Sequence, residues 1–152
     1  MHKRFSVRRL GAADLDRILD IEHASFGKDS YDRNLFADFF HKCGGLFLVA
    51  EHGGNIWGYM ITCTGGRDRR RAELVSVAVD PVARGQGAAS ALMDSTLRRL
   101  RRRGIARFTL MVKVTNRKAQ TFYAKYGFEK VRIVPRYYAK RGDAWLMAKS
   151  LP

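Results

Sequence analysis

One stretch constrains this chain more than any other: residues 77–104, VAVDPVARGQGAASALMDSTLRRLRRRG. An apolar, β-branched run ends at Asp80-Pro81, a short connector follows with Gly85 and Gly87, and a helical pattern of about four to five turns completes it. In a strand, glycine turn and helix, the first N–H groups of the helix have no carbonyl partner within it, and they point toward the turn. Such a turn either joins two elements or holds an anionic group.

The third glycine and following acidic strand end of a dinucleotide fingerprint are missing, and no Lys-Ser/Thr pair follows Gly87 as a nucleotide P-loop requires. Phosphate binding here would rest on main-chain N–H groups with Arg84 assisting. Ala88, Ala89, Leu92, Met93, Leu97 and Leu100 mark the buried side of the helix.

A chain of 152 residues, 46% hydrophobic and 28% charged, fits one domain with a real core. The expected domain is 1–152. No apolar run approaches the roughly 20 residues of a membrane span, and the basic start MHKRFSVRRL lacks the apolar stretch of a secretory signal. The expected setting is therefore the cytoplasm, away from membranes. Cys43 and Cys63 form neither a disulfide framework nor a metal-ligand pattern, and each reads as a small core residue. His2, His23, His41 and His52 are scattered, so no metal is expected.

The abnormal number is the charge: 29 basic minus 14 acidic residues gives +15. Much of the excess sits in Arg67, Arg69, Arg70 and Arg71 and in residues 98–103, where only Leu100 interrupts the arginines. A solvated face that suits a helix C-terminus is one reading; attraction of a polyanion such as RNA or the ribosome is the other.

Around that stretch the periodicities predict a first strand over residues 5–10, a helix over 13–26 and a second helix from Ser30 to His41 ended by Cys43-Gly44-Gly45. Strands follow over 46–51 and 56–64, joined by His52-Gly53-Gly54-Asn55, a hairpin signal suited to positive φ. After a turn at Gly65-Gly66-Arg67-Asp68 comes a strand over 73–79, completing an expected antiparallel meander. Beyond the long helix lie a strand over 106–114, a helix capped by Thr115 or Asn116 and closed by a left-handed Gly127, and a strand pair, 131–134 and 144–147. The order β-α-α-β-β-β-α-β-α-β-β is an α+β arrangement with a mixed sheet.

Two linked motifs carry a family resemblance. Arg84-x-x-Gly87-x-Ala89 resembles the pyrophosphate-binding signature of the GCN5-related N-acetyltransferases (GNAT), and Val77-Ala78-Val79-Asp80-Pro81 is similar to their fourth strand. Asn116 and Phe122-Tyr123-x-x-x-Gly127-Phe128 match the second signature of that family. Near the C-terminus, Arg136-Tyr137-Tyr138 and Gly142-Asp143-Ala144 resemble the RimI-like protein N-terminal acetyltransferases.

The resemblance implies the GNAT fold: a mixed, mostly antiparallel sheet of about seven strands flanked by four helices. It also implies acetyl-CoA as co-substrate, held by Val77, Val79, Arg84, Gly85, Gln86, Gly87, Ala88, Ala89, Asn116 and Tyr123, and direct attack by an amine. Tyr123 then takes the role of acid for the departing thiolate; otherwise it is part of the apolar face of its helix. Asn116 caps its helix, contacts the pantetheine arm, or does both.

Two departures stand out. Met111 occupies the position where RimI-like enzymes carry a catalytic glutamate, and methionine takes no proton. Glu73 resembles the base of the histone-acetylating branch, or is a carboxylate among arginines at a strand end. Where RimI-like enzymes place a Pro-Trp-Ser segment lining the acceptor groove, this chain has Phe26-Gly27-Lys28-Asp29-Ser30-Tyr31, in which Ser30 persists without the proline and tryptophan, and Tyr31, Tyr137 and Tyr138 are the groove candidates.

The expected acceptor is a protein N-terminus, of a ribosomal protein among others. Aminoacyl-tRNA, as in the acetyltransferase toxins, and a small-molecule amine are rival acceptors. An acetyl-CoA-binding module that contacts nucleic acid or ribosome without catalysis is a further reading. Either a monomer or a homodimer is compatible with this pattern.

Overall fold

A computed structural model describes residues 4–65 and 68–152; His2, Gly66 and Arg67 lie outside the described residues. Among the described residues the order is β1 (Ser6–Arg9), α1 (Leu15–Phe26), α2 (Arg33–Cys43), β2 (Phe47–His52), β3 (Asn55–Thr64), β4 (Arg71–Val79), α3 (Ala88–Arg102), β5 (Arg107–Lys113), α4 (Arg117–Lys125), β6 (Glu129–Val134) and β7 (Ala144–Ser150). The strand order is β1-β2-β3-β4-β5-β7-β6. The β4–β5 pair is parallel, while β1–β2, β2–β3, β5–β7 and β6–β7 are antiparallel. This is the expected α+β fold: a mixed, mostly antiparallel seven-stranded sheet with four helices. None of the described helices is long and apolar enough to cross a membrane.

The chain divides into two compact units, Met1–Cys63 with Val75–Arg102, and Thr64–Leu74 with Arg103–Pro152. In the first, β2 and β3 are buried almost throughout, as strands covered on both faces must be. Phe47, Val49, Tyr59 and Ile61 join Ile18 and Ile21 of α1 and Phe36 of α2 in one core cluster, with Phe36 edge-on to Tyr59 at 5.6 Å. On the other face α3 packs through Leu92, close to Gly58, and Thr96, whose hydroxyl meets Met60 Sδ at 3.4 Å. Gly58 is small because a Cβ there would come within 3.1 Å of the Ala78 carbonyl. The β2–β3 turn takes positive φ at Gly53 and Gly54, 62° and 80°, matching the twist of a two-residue hairpin.

Helix α2 starts three residues after the expected Ser30. Asp32 is the cap, its Oδ1 accepting the Leu35 N–H at 2.8 Å, whereas Ser30 closes the short 3-10 turn Gly27–Asp29 by bonding the Gly27 carbonyl. The two cysteines also differ from expectation: Cys43 at the end of α2 and Cys63 on β3 form a disulfide, with their Cα atoms 5.0 Å apart. A link of this kind depends on where a helix end meets a distant strand, which cysteine spacing does not encode.

In the second unit, β5 alternates, burying Phe108, Leu110 and Val112. Phe128 packs on Phe108 with ring centroids 5.4 Å apart and holds α4 to that face. Helix α4 ends as the glycine pattern predicts. Gly127 has φ 89°, its N–H bonds Ala124, the Phe128 N–H bonds Tyr123, and the Phe128 ring meets that of Tyr123. This is a complete Schellman closure with its hydrophobic contact.

Candidate active site

In the first unit, Asp80 sets up the glycine turn. One carboxylate oxygen accepts the Val82 N–H at 2.9 Å and the other meets Arg17 at 2.9 Å. Those bonds, the first above all, hold Asp80 below its ordinary 3.8 and fix the 3-10 turn Pro81–Ala83. The chain then passes Gly85 at φ 77° and Gly87 at φ 98° before entering α3.

Left-handed conformations alternating with ordinary ones turn successive N–H groups toward one concavity, a shape that takes anions. The Ala91 N–H donates to the Gly87 carbonyl at 3.0 Å, so the amides of Gly87, Ala88 and Ala89 precede the helix ladder of α3. A Cβ on Gly85 would meet no atom within 4 Å. The space beside the Gly85 Cα is therefore open. The guanidinium of Arg84 is folded back to the Val79 carbonyl at 3.2 Å and the Ser25 hydroxyl at 3.3 Å. Gln86 reaches the Val82 carbonyl, and Ala89, expected on the buried side, is only half-buried. Val77 and Val79 lead into the turn, both half-buried.

Tyr31 belongs to the same unit. Its ring packs near Phe36 and Phe39, each at 5.9 Å, and its N–H donates to Glu22 Oε2 at 2.9 Å. Glu22 is a residue that sequence reasoning missed. It is 2% exposed, and its other oxygen accepts the Tyr59 hydroxyl, which also lies 3.3 Å from Ser76 Oγ. Burial, then the Glu22 charge, pushes the Tyr59 phenol far above 10.0, so it stays a donor. The available signal was a glutamate directly beside Ile21 on the apolar side of α1.

The second unit holds Glu73, Asn116, Tyr123, Tyr137 and Tyr138. Tyr123 is 6% exposed. Burial, with a smaller contribution from Tyr138, raises its phenol above 10.0, so Tyr123 carries its proton at every physiological pH. Asn116 is confirmed as the α4 cap, its Oδ1 accepting the Ala119 N–H at 3.1 Å.

Glu73 is exposed on β4 and stands opposite Thr109 in the parallel register. Its charge contributes, after burial, to raising Tyr137. Met111 lies on β5 opposite Leu146.

Tyr137 and Tyr138 sit edge to face at 4.9 Å, and Lys113 Nζ lies 5.5 Å from the Tyr138 ring. They are presented by a tight loop. Arg136 and Ala139 take positive φ, 54° and 51°. The Asp143 carboxylate accepts the Arg136 N–H at 2.9 Å, and Gly142 accepts the Tyr138 N–H at 3.1 Å. Strain of this kind persists where surrounding bonds over-determine it, which gives Gly142-Asp143 its physical meaning. Among the described residues no cluster of His, Cys, Asp or Glu could hold a metal.

A family model described as "Acetyltransferase (GNAT) family" matches residues 13–128. An N-alpha-acetyltransferase from Sulfolobus acidocaldarius is 28% identical, over 97% of this chain and 93% of its own length. Among solved structures, Ard1 from Thermoplasma volcanium superposes with a TM-score of 0.90 at 27% identity, covering 97% of this chain and 98% of that one. The ribosomal-protein-S18-alanine N-acetyltransferase from Escherichia coli gives 0.85 at 26%, covering 97% and 94%.

Proposed function

The chain belongs to the acetyltransferase (GNAT) family, and from that premise we propose that it moves an acetyl group from acetyl-CoA directly to the N-terminal α-amine of a protein in the cytoplasm. The observation that carries the reading is Tyr123: a phenol held neutral by burial, on the helix and at the motif position that resembles the acid of this family. The relatives named for N-alpha and S18-alanine acetylation support a protein acceptor, with ribosomal proteins as candidates.

Bound acetyl-CoA supplies an activated thioester. The amides of residues 84–89 hold its pyrophosphate, and Arg84 joins them by leaving the Val79 and Ser25 oxygens. Val77 and Val79 lend main-chain groups beside the pantetheine arm, and Asn116 lends its amide. Tyr123 donates its proton to the departing sulfur. Glu73 draws the proton from the amine, directly or through water. Tyr31, Tyr137 and Tyr138 line the acceptor.

Magnitudes decide which amine an exposed, weak base can serve. At pH 7 about 10% of an α-amine of pKa near 8 is neutral, against about 0.04% of a lysine near 10.4. The chain therefore needs about two hundredfold less help with an α-amine than with a lysine. A methionine at position 111 is tolerable for the first acceptor and costly for the second.

The deciding experiment follows thiol release from acetyl-CoA with a panel of acceptors. It includes peptides with free N-termini, the same peptides with blocked N-termini and free lysines, a polyamine, an aminoglycoside and an aminoacyl-tRNA. Turnover is expected with free N-termini and lost on blocking them. Preference for any other acceptor overturns the assignment.

A further inference from the structure

Two arginine-rich segments that are distant in sequence are bonded side by side in the second unit. The Arg70 carbonyl accepts the N–H of Ala106 at 2.7 Å and that of Arg107 at 3.2 Å, and Arg71 stands opposite Arg107 in the β4–β5 register. Arg69, Arg70, Arg71 and Arg103 are exposed and Arg107 is half-buried. The acid within this group is Asp68. One of its oxygens accepts the Arg70 N–H at 2.9 Å and the other meets Arg71 Nε at 3.2 Å. That carboxylate offsets one arginine and leaves Arg69, Arg70 and Arg103 exposed to solvent.

The corner is shaped as well as charged. Arg70, Arg71 and Arg107 line a cleft of about 230 Å³. Arg107 also lines a second cleft, of about 290 Å³, with Lys130, Glu129 and Ser150. One guanidinium between two clefts suits a chain of anions rather than a single ion. Arginine matches phosphate better than lysine does, because its planar fork bonds two oxygens at once. A solvated face would explain scattered charge, but not arginines of two segments converging on the walls of clefts.

Glu129 identifies the kind of chain. A carboxylate repels phosphate, so Glu129 beside Arg107 and Lys130 in the wall of the second cleft favours a ligand that also brings hydroxyl donors. Ribose supplies them: its 2′-hydroxyl has both the donor that Glu129 accepts and the acceptor that Ser150 can use, while the arginines suit the phosphates and Lys130, its ammonium 4.8 Å from the Trp145 ring centroid, adds positive charge. Deoxyribose has no such group, and an acidic peptide offers carboxylates without hydroxyls. We propose that this corner, formed by Arg69, Arg70, Arg103, Arg107, Lys130 and Glu129, binds the sugar-phosphate backbone of single-stranded RNA. This binding does not depend on the identity of the acetyl acceptor.

Fluorescence anisotropy tests it, using a labelled single-stranded RNA about 20 nucleotides long, longer than most single-strand sites, over a NaCl series. Each neutralised phosphate adds about 0.7 to the slope of log Kd against log salt. The variant combining Arg69→Gln, Arg70→Gln, Arg103→Gln and Arg107→Gln is expected to flatten that slope by about 3 and to weaken binding at least about tenfold at low salt. Arg70→Gln alone, at an exposed turn, flattens it by about 0.7 and serves if the combined variant fails to fold. Glu129→Ala is expected to bring RNA and DNA of the same sequence to equal affinity without steepening the salt dependence. Circular dichroism and acetyl transfer to a short uncharged peptide should match the unsubstituted protein in every variant. An unchanged slope in Arg70→Gln overturns the proposal. So does DNA bound as tightly as RNA by the unsubstituted protein, displacement by polyglutamate as effective as by unlabelled RNA, or tighter capture by phosphatidylserine vesicles.

Discussion

The two regions proposed to serve acetyl transfer are built in opposite ways. In the turn after β4 the proposed working groups are main-chain amides, and the sequence contributes chiefly by what it leaves out: Cβ atoms at Gly85 and Gly87, both at positive φ. Around α4 and the loop before β7 the proposed working groups are side chains, Tyr123, Tyr137 and Tyr138, each set by its own packing, with Glu73 exposed on β4. A backbone site tolerates most side-chain change but no steric intrusion. A side-chain site tolerates nearby bulk but not loss of one atom. Substitutions in the two regions should therefore move different kinetic parameters.

The largest effect is expected at Tyr123. Tyr123→Phe keeps the ring that packs on Phe128 and removes only the proton donor, so kcat should fall by about 10²–10⁴ while KM for acetyl-CoA stays within about twofold. Steady-state kinetics at saturating acceptor reads both. Unchanged kcat would return Tyr123 to the apolar face of its helix. Gly87→Glu should do the reverse. It forces a side chain into φ 98° and sets a negative charge beside the pyrophosphate, raising KM for acetyl-CoA about a hundredfold with kcat much less affected. Two variants that both moved kcat would break the division between the regions.

Next in size is a difference of scaffold. The first unit carries the Cys43–Cys63 disulfide, and among the described residues there are no free cysteines. Closing a sequence separation of 20 is worth about 3 kcal/mol. Reduction, or Cys43→Ser with Cys63→Ser, should lower the melting temperature by about 6–12 °C in a domain of this size. Calorimetry with and without reductant measures it. A second, unshifted transition would show that the units unfold separately, and a shift near zero would mean that the link does not form in solution.

A smaller effect belongs to Glu73. Glu73→Gln should lower kcat/KM about tenfold at pH 7, and the deficit should close as pH rises past about 8, where the α-amine loses its proton unaided. The unsubstituted enzyme should gain rate through that same range and hold it to about pH 10. Burial raises the folded-state Tyr123 above its ordinary 10.0, so the acid is still protonated there. The same raised value means that the buried phenol contributes stability below pH 10 and that this contribution is lost as pH climbs beyond it. A pH profile in which the variant stays tenfold low at pH 9 would remove Glu73 as base.

The contrast between backbone and side-chain sites also explains what could be read in the chain. Gly85, Gly87 and Gly127 are legible because a positive φ leaves few choices of residue, and their spacing reproduces the turn and the Schellman closure directly. The order of elements follows from periodicity, with small shifts where a cap competes, as Asp32 does with Ser30. The Cys43–Cys63 link and the Glu22–Tyr59 pair were not legible. Each joins a helix to a strand that periodicity places in order but not in register. The arginines of residues 69–71 and 98–103 stood out as charge, whereas Arg107 did not, and the meeting of residues 70 and 106–107 depends on hydrogen bonds to the Arg70 carbonyl, which no charge count reveals.

The smallest expected effect lies at Asn116, where backbone and side-chain roles meet in one residue. Its oxygen caps α4 through the Ala119 N–H, and its amide is proposed to touch the pantetheine arm. Asn116→Asp keeps a good cap but replaces the amide donor by a carboxylate. Asn116→Ala removes both, at a stability cost of about 1 kcal/mol. If the residue is only a cap, Asn116→Asp should match the unsubstituted protein in melting temperature and in KM for acetyl-CoA, and Asn116→Ala should be less stable with KM unchanged. If it also holds the cofactor, both variants should raise KM severalfold and only Asn116→Ala should melt early. The second pattern is the expected one, because capping uses the Asn116 side-chain oxygen, while the two N–H donors of the same amide are a separate group suited to an acceptor on the pantetheine arm.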